Sequence, residues 1–213
     1  MREWVREMLQ NNYLIFIALG YLAGGVLFSY YIPKCLKHVD VTDSSPDRNP
    51  GAFNAIKETG PVVGGICLLC DIAKGYLVIS YAVPFLDIRN PWFGLVLLAP
   101  VAGHAYSIMR HFSGGKAIAV SFGVLLGLLP LQWHVLILAA SYIIFSSMRS
   151  IKPNERRSVY AFGVLNLYAV CTWLLGRTPG VCLGIIGMTV IVMQKNWKDA
   201  RLGELLQHYL GRK

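Results

Sequence analysis

Charge is scarce in this 213-residue chain: 15% of its residues are Asp, Glu, Lys or Arg, against roughly 25% in a soluble globular domain. Acid is the scarcer sign, with 11 Asp and Glu against 20 Lys and Arg. So few charges cannot clothe a water-facing surface, which excludes an ordinary soluble domain. No ten-residue segments of alternating hydrophobicity are present, which excludes a membrane β-barrel. Cysteine is sparse and scattered, at Cys35, Cys67, Cys70, Cys171 and Cys182. Cys67-Leu-Leu-Cys70 has redox spacing, but it lies in an apolar run with no second pair and no histidine set nearby, so it reads as packing. The chain has no H-E-x-x-H, no Ser-His-Asp spacing and no paired carboxylates. No metal and no cofactor is therefore expected.

What is present in excess is apolar residue, 55% of the chain, with a mean hydropathy of +0.50. It is gathered into runs that reach or approach the roughly 20 residues an α-helix needs to cross a hydrocarbon core. The expected fold is an all-α integral membrane protein, one polytopic domain over residues 1–213. Its predicted spans are Tyr13–Ile32, Pro61–Val83, Trp92–Met109, Ala117–Leu129, Leu131–Met148, Val159–Leu175 and Gly180–Met193. The fourth is short, and Pro130 separates it from the fifth; six spans with a re-entrant segment is the other reading. The first span has an apolar part too long for a signal peptide and no small-x-small cleavage site after it, so it reads as a retained helix.

Cations set orientation. With the predicted loops assigned alternately to the two sides, fifteen fall on one side: Lys34, Lys37, Arg48, Lys57, Arg110, Lys116, Arg149, Lys152, Arg156, Arg157, Lys195, Lys198, Arg201, Arg212 and Lys213. The other side holds four, Arg2, Arg6, Arg89 and Arg177. The N-terminus is expected outside and the C-terminus in the cytoplasm. The net charge of +9 is then a matter of topology and anionic lipid, and calls for no nucleic acid partner. Residues 196–213 read as an amphipathic cytoplasmic segment. Leu202, Leu205, Leu206 and Tyr209 recur at helical spacing there, and Trp197 is a candidate interface anchor.

Polar residues gather in a few places. Asn49-Pro50-Gly51 is turn chemistry, and a short helix beginning near Gly51 would put Asn54 and Lys57 on one face. Gly114-Gly115-Lys116 sits at the mouth of an apolar run. Backbone amides and one cation at such a position can hold a phosphate, though a flexible turn with a snorkelling lysine fits the same letters. There is no upstream G-x-x-x-x-G, so it is not a Walker loop. Asp71 and Lys74 lie deep in the second span, three residues apart. Such groups mark a functional site or a self-neutralising pair. His104 is either a general base near neutral pH or a buried histidine on a carbonyl.

Taken together, Asp47-Arg-Asn-Pro-Gly-Ala-Phe-Asn-Ala-Ile-Lys57, Asp71-Ile-Ala-Lys-Gly75, Gly103-His104 and Ser113-Gly-Gly-Lys-Ala-Ile-Ala-Val120 resemble the bacterial membrane acyl-phosphate:glycerol-3-phosphate acyltransferases, the PlsY family. Tyr21-Leu-Ala-Gly24 also looks like that family's first helix. The resemblance implies seven spans, an outward N-terminus and a site at the cytoplasmic face of the bacterial inner membrane. It also implies transfer of an acyl group from acyl phosphate to glycerol-3-phosphate, giving lysophosphatidic acid without a metal. By position it implies catalytic roles for Lys116, His104 and Asp47. It implies substrate and phosphate contacts at Asn49, Gly51, Asn54, Lys57, Asp71, Lys74, Gly114, Gly115 and Asn196. Five positions depart from the family's usual residues: Asp47 stands for serine, Arg48 for glycine, Phe53 for threonine, Lys57 for arginine, and Met193 for the histidine three residues before Asn196. A paralog with another acceptor, a non-catalytic lipid binder, and an anionic-solute transporter using Asp71 and Lys74 are the alternatives; no internal repeat of the transporter kind is visible.

Overall fold

A computed structural model describes residues 3–45, 47–148, 151, 154–176 and 178–210, with side chains described from residue 12 to residue 197 apart from Ser44. The described residues form helices and connecting turns, with no strand among them. In chain order the helices are α1 (Glu3–Gly25), α2 (Phe28–Lys37), α3 (Val41–Ser44), α4 (Ala52–Thr59), α5 (Pro61–Ala82), α6 (Pro91–Ala105), a 3₁₀ turn (Ile108–Arg110), α7 (Ile118–Leu126), α8 (His134–Ser147), α9 (Asn154–Leu174) and α10 (Pro179–Leu210).

The starts of α5 and α6 follow from local chemistry. Each opens on a proline, whose missing N–H has no intrahelical partner to lose at the first position. Asn90 adds a cap, its side chain accepting from Trp92 N at 3.0 Å.

α6 is the centre of the bundle. It packs against α1 on one side and α10 on the other, while α5 carries α4 and α7, and α8 packs on α9. Its buried residues include Phe93, Val96, Leu97, Val101 and Ala105, so it is apolar around its whole circumference, as a helix enclosed by others should be. The α1–α6 contact is close enough to demand glycine. A Cβ at Gly24 would stand 2.1 Å from Pro100 O, and one at Gly103 would stand 2.1 Å from Tyr21 O. The main core runs from Phe93 and Leu97 through Leu125 and Phe162 to Ile185 and Met188. A smaller cluster under α2–α4 holds Leu27, Tyr30, Val41, Ala55, Val63 and Cys67.

Outside, large apolar side chains such as Leu14, Leu22, Val62, Leu69, Ile143 and Val190 face away from the protein. Four helical stretches among the described residues are long and apolar enough to cross a membrane: Asn12–Lys37, Pro61–Ala82, Pro91–Arg110 and Pro179–Trp197. The shorter His134–Ser147 is also apolar.

Two expected spans differ from what is observed. The run Tyr13–Ile32, read as one helix, is broken at Val26 and Leu27 and resumes to Lys37. A break in lipid leaves carbonyls without partners, and here distant side chains supply them. Lys74 Nζ donates to Gly24 O at 2.9 Å and to Val26 O at 2.6 Å, and Ser107 Oγ donates to Gly25 O at 2.6 Å. The fourth run, Ala117–Leu129, is a helix only over the nine residues of α7. At a rise of 1.5 Å per residue that is about 14 Å, roughly half a hydrocarbon core. α10 runs over 32 residues without interruption, so no bend separates the last apolar run from the segment beginning at Asn196. Residues 211–213, and the cations Arg2, Arg149, Lys152 and Arg177, lie outside the described residues.

Candidate active site

The segment before α4, the segment between α6 and α7, and the middle of α10 meet at one end of the bundle. They enclose a cleft of ≈ 440 Å³ lined by Asp47, Arg48, Asn49, Tyr106, Ser113, Gly114, Gly115, Lys116, Gln194 and Lys195.

The first wall is a tight turn built by Asp47. Its Oδ1 accepts from Asn49 N at 3.3 Å and from Asn54 Nδ2 at 2.8 Å. Asn54 also donates to Asn49 O at 2.9 Å, tying the turn to α4. Within it Arg48 has φ +48°, a left-handed conformation uncommon for a residue with a Cβ. That explains why glycine suits this position, and the arginine that replaces it lines the cleft. Gly51 ends the turn as the N-cap of α4.

The second wall is the Gly114–Lys116 segment. Gly115 N donates to His104 O at 3.1 Å, so this amide serves the loop's shape rather than a ligand. Lys116 Nζ donates to Asp47 Oδ2 at 2.9 Å and to Glu155 Oε1 at 3.0 Å. A cation thus stands on the cleft between two carboxylates from different elements. Burial works to raise the Asp47 pKa, but its hydrogen bonds from Lys116 and Asn54 outweigh this and hold it below its ordinary 3.8.

Directly behind the glycines lies His104, which is 3% exposed. A Cβ on Gly115 would meet His104 Nε2 at 2.5 Å, so only glycine fits there. Nδ1 of the ring lies 2.9 Å from Lys74 Nζ. An ammonium donates, so Nδ1 accepts and the ring proton belongs on Nε2, facing the loop. Lys74 thereby directs its three protons at Gly24 O, Val26 O and His104 Nδ1. Its partner Asp71 sits 2.8 Å away as the counter-charge, and Asp71 Oδ2 accepts from Ser29 Oγ at 2.5 Å. The deep pair is therefore joined to both the helix break and the floor of the loop, and it does not line the cleft.

Of the residues singled out from sequence, Asp47, Asn49, Gly114, Gly115 and Lys116 are brought together on the cleft; Gly51 and Asn54 shape its turn; His104, Lys74 and Asp71 lie behind it. Lys57 is not brought in. It does not share the buried side of α4 with Asn54: its side chain is 59% exposed and its nearest charge is Glu58, at 4.0 Å. Asn196 is buried with Nδ2 on Val192 O at 2.7 Å, and the residues of α10 that line the cleft are its neighbours Gln194 and Lys195. Tyr106 joins them, its hydroxyl donating to Gln194 Oε1 at 2.8 Å and its ring lying 4.4 Å from Lys195 Nζ. Tyr106, Gln194, Lys195 and Glu155 were not anticipated. The adjacency of Tyr106 to Gly103-His104 and of Gln194 and Lys195 to Asn196, and an acidic residue in a strongly basic loop, were the available signals.

Comparisons with known proteins agree with this geometry. The family model described as glycerol-3-phosphate acyltransferase matches residues 14–203. A glycerol-3-phosphate acyltransferase of Thermotoga petrophila is 39% identical over 141 residues, 63% of this chain and 71% of that one. One from Lacticaseibacillus casei is 34% identical over 189 residues, 87% of each chain. Among solved structures, PlsY (YgiH), an integral membrane glycerol 3-phosphate acyltransferase in its glycerol 3-phosphate form, superposes with a TM-score of 0.77, covering 94% of each chain at 24% identity. That likeness speaks for the fold; the family match and the curated relatives speak for the kind of enzyme. This chain belongs to the glycerol-3-phosphate acyltransferase family.

Proposed function

We propose that the cleft joins an acyl phosphate to glycerol-3-phosphate at the cytoplasmic face of a bacterial inner membrane, releasing lysophosphatidic acid and inorganic phosphate. Seven crossings are counted as α1 with α2, then α5, α6, α7, α8, α9 and α10, with the N-terminus outside. This count is supported by the cleft itself: residues 47–49, 106–116, 155 and 194–195 meet at one end, and an alternating path returns each of them to the same side. A 32-residue α10 is about 48 Å long, longer than a ~30 Å hydrocarbon core. Its C-terminal part, the amphipathic segment from residue 196 onward, thus extends beyond the core on the cytoplasmic side.

The observation that carries the reading is the convergence of Arg48, Lys116 and Lys195 on one cleft in a chain with so little charge. Both reactants are phosphoanions. The acyl phosphate is already activated, so the protein's work is alignment and charge stabilisation. Lys116 and Lys195 face the phosphates, Asn49 and Asp47 order the turn beside them, and His104 braces the glycine loop from beneath. The glycerol hydroxyl attacks the acyl carbonyl carbon. The acyl–oxygen bond to phosphate then breaks, and the departing phosphate takes up the hydroxyl proton. A transporter built on Asp71 and Lys74 is disfavoured, because the Lys74 protons are directed at helix carbonyls and His104.

The test is lysophosphatidic acid formation by purified protein given acyl phosphate and glycerol-3-phosphate. Lys116→Met is expected to lower kcat/KM by roughly 10²–10³, the scale of losing one charge-stabilising donor. Full turnover in this variant would remove the assignment.

A further inference from the structure

The Lys116 ammonium is shared between two carboxylates that are not equivalent. Asp47 is fixed independently of it: Oδ1 accepts from Asn54 Nδ2 and Asn49 N, so the carboxylate keeps its place whether or not the lysine is there. Glu155 has no such support. Among the described residues Lys116 is its one ion-pair partner, through Oε1 at 3.0 Å. It stands in the first turn of α9, its side chain 21% exposed. A carboxylate there is stabilised by the helix N-terminus and by water without any lysine. Asp47 and Lys116 line the cleft, whereas Glu155 contacts Lys116 without being among the residues that line it.

A substrate phosphate drawn to Lys116 meets like charge from both carboxylates, and repulsion acts most easily on the one that can move. We propose that Glu155 is a positioning residue of this site: its carboxylate holds Lys116 over the cleft and yields the ammonium to a substrate phosphate, so that it competes with the anion for that lysine. This rests on the cleft being a phosphate site. It deepens that reading by naming a residue that tunes phosphate affinity without touching the reacting atoms. Asp47 and Lys116 remain paired through the exchange, and α9 is released from the loop.

The measurement is binding of inorganic phosphate, and separately of glycerol-3-phosphate, to the purified full chain in detergent by titration calorimetry. Glu155→Gln keeps the side chain's size and removes the competing charge. Its Kd for both anions is expected to fall about fivefold, equivalent to about 1 kcal/mol, the upper end of measured exposed ion pairs. The KM for glycerol-3-phosphate should fall in parallel. Damage to the fold does not tighten binding, so a gain of affinity is a readout that a merely structural role would not give. An unchanged or weaker Kd in a Glu155→Gln protein that melts like the parent overturns the proposal. Should that variant melt early, Glu155→Asp is the second test, because it keeps the first-turn charge while being one methylene too short for the lysine. It too must bind phosphate more tightly, and failure to do so overturns the proposal. A parent protein that binds no phosphate also overturns it. A parent that binds phosphate yet makes no lysophosphatidic acid refutes the acyl-transfer reading alone and leaves the Kd comparison to decide the role of Glu155.

Discussion

Lys74→Met separates a structural lysine from a substrate lysine. The methionine keeps an apolar stem of similar length and deletes the ammonium. Four groups then lose their contact: Gly24 O at 2.9 Å, Val26 O at 2.6 Å, His104 Nδ1 at 2.9 Å and Asp71 Oδ1 at 2.8 Å. Each orphaned carbonyl costs about 1–3 kcal/mol. Breaking a buried pair by removing one partner costs about 3–5 kcal/mol, and among the described residues Asp71, 1% exposed, is left with its Ser29 hydrogen bond and His104 Nδ1 at 3.8 Å. Relaxation around the vacated site offsets part of this, so the whole is on the order of 5 kcal/mol. For a chain of this size that corresponds to a fall in Tm of roughly 10–20 °C, read by thermal unfolding in detergent. Adding Asp71→Asn to Lys74→Met removes the unpaired charge and should restore about half of the loss, leaving the carbonyl part. Activity should fall in both, because the α1–α2 break and the ring beneath Gly115 depend on the same ammonium. A Lys74→Met protein with the parent Tm and a raised KM for glycerol-3-phosphate would refute this and make Lys74 a substrate contact.

Gly115→Ala places a methyl 2.5 Å from His104 Nε2, against a ring that Lys74 pins from its other side. We expect kcat/KM to drop on the order of 100-fold, with a Tm loss of roughly 2–10 °C, the scale of about 1–3 kcal/mol of overpacking. Gly65→Ala in α5, where an added Cβ meets nothing within 4 Å, should be neutral or stabilising by up to about 1 kcal/mol; equal activity losses in the two variants would undo the argument for Gly115. Asp47 supplies a pH prediction. Its folded pKa lies below its unfolded value, so its contribution is fully present above about pH 4 and is lost as pH falls through the lower folded value. The kcat/KM profile between pH 5 and 8 should therefore show no inflection that Asp47→Asn removes, and such an inflection would contradict the pairing with Lys116.

What could be read from the residues alone followed the range of the forces involved. The apolar runs that become α5, α6, α8 and α10 carry their own signal, strengthened by Pro61 and by Asn90 with Pro91 at two of the starts. The break at Val26–Leu27 has only Gly24-Gly25 as a local signal, a pair that an unbroken membrane helix also tolerates. The groups that make the break tolerable, Lys74 and Ser107, lie 48 and 82 residues away from carbonyls they satisfy. The site divides in the same way. Asp47, Asn49 and the glycines of the loop were legible because each turn is specified within a few residues. Lys57 was misplaced because helical spacing says which residues are near one another and not which of them faces inward. The pull of Asp47 on Asn54 decides that, and it leaves Lys57 in water. Glu155, Gln194 and Lys195 come from helices that reach the cleft only through packing.

Three of the five departures that the resemblance implies bear on the cleft: Asp47, Arg48 and Met193. Asp47 adds an anion beside Lys116, and Arg48 adds a cation at a strained φ where glycine would be easier. Met193 removes a histidine one helical turn from Asn196, while Lys195 lines the cleft from that same turn. The charges gained, Asp47 against Arg48, offset each other. Arg48, Lys116 and Lys195 bring the cleft's cations from three separate segments, and the acceptor phosphate is therefore expected to be held from α10 and the Asp47 turn as much as from the glycine loop.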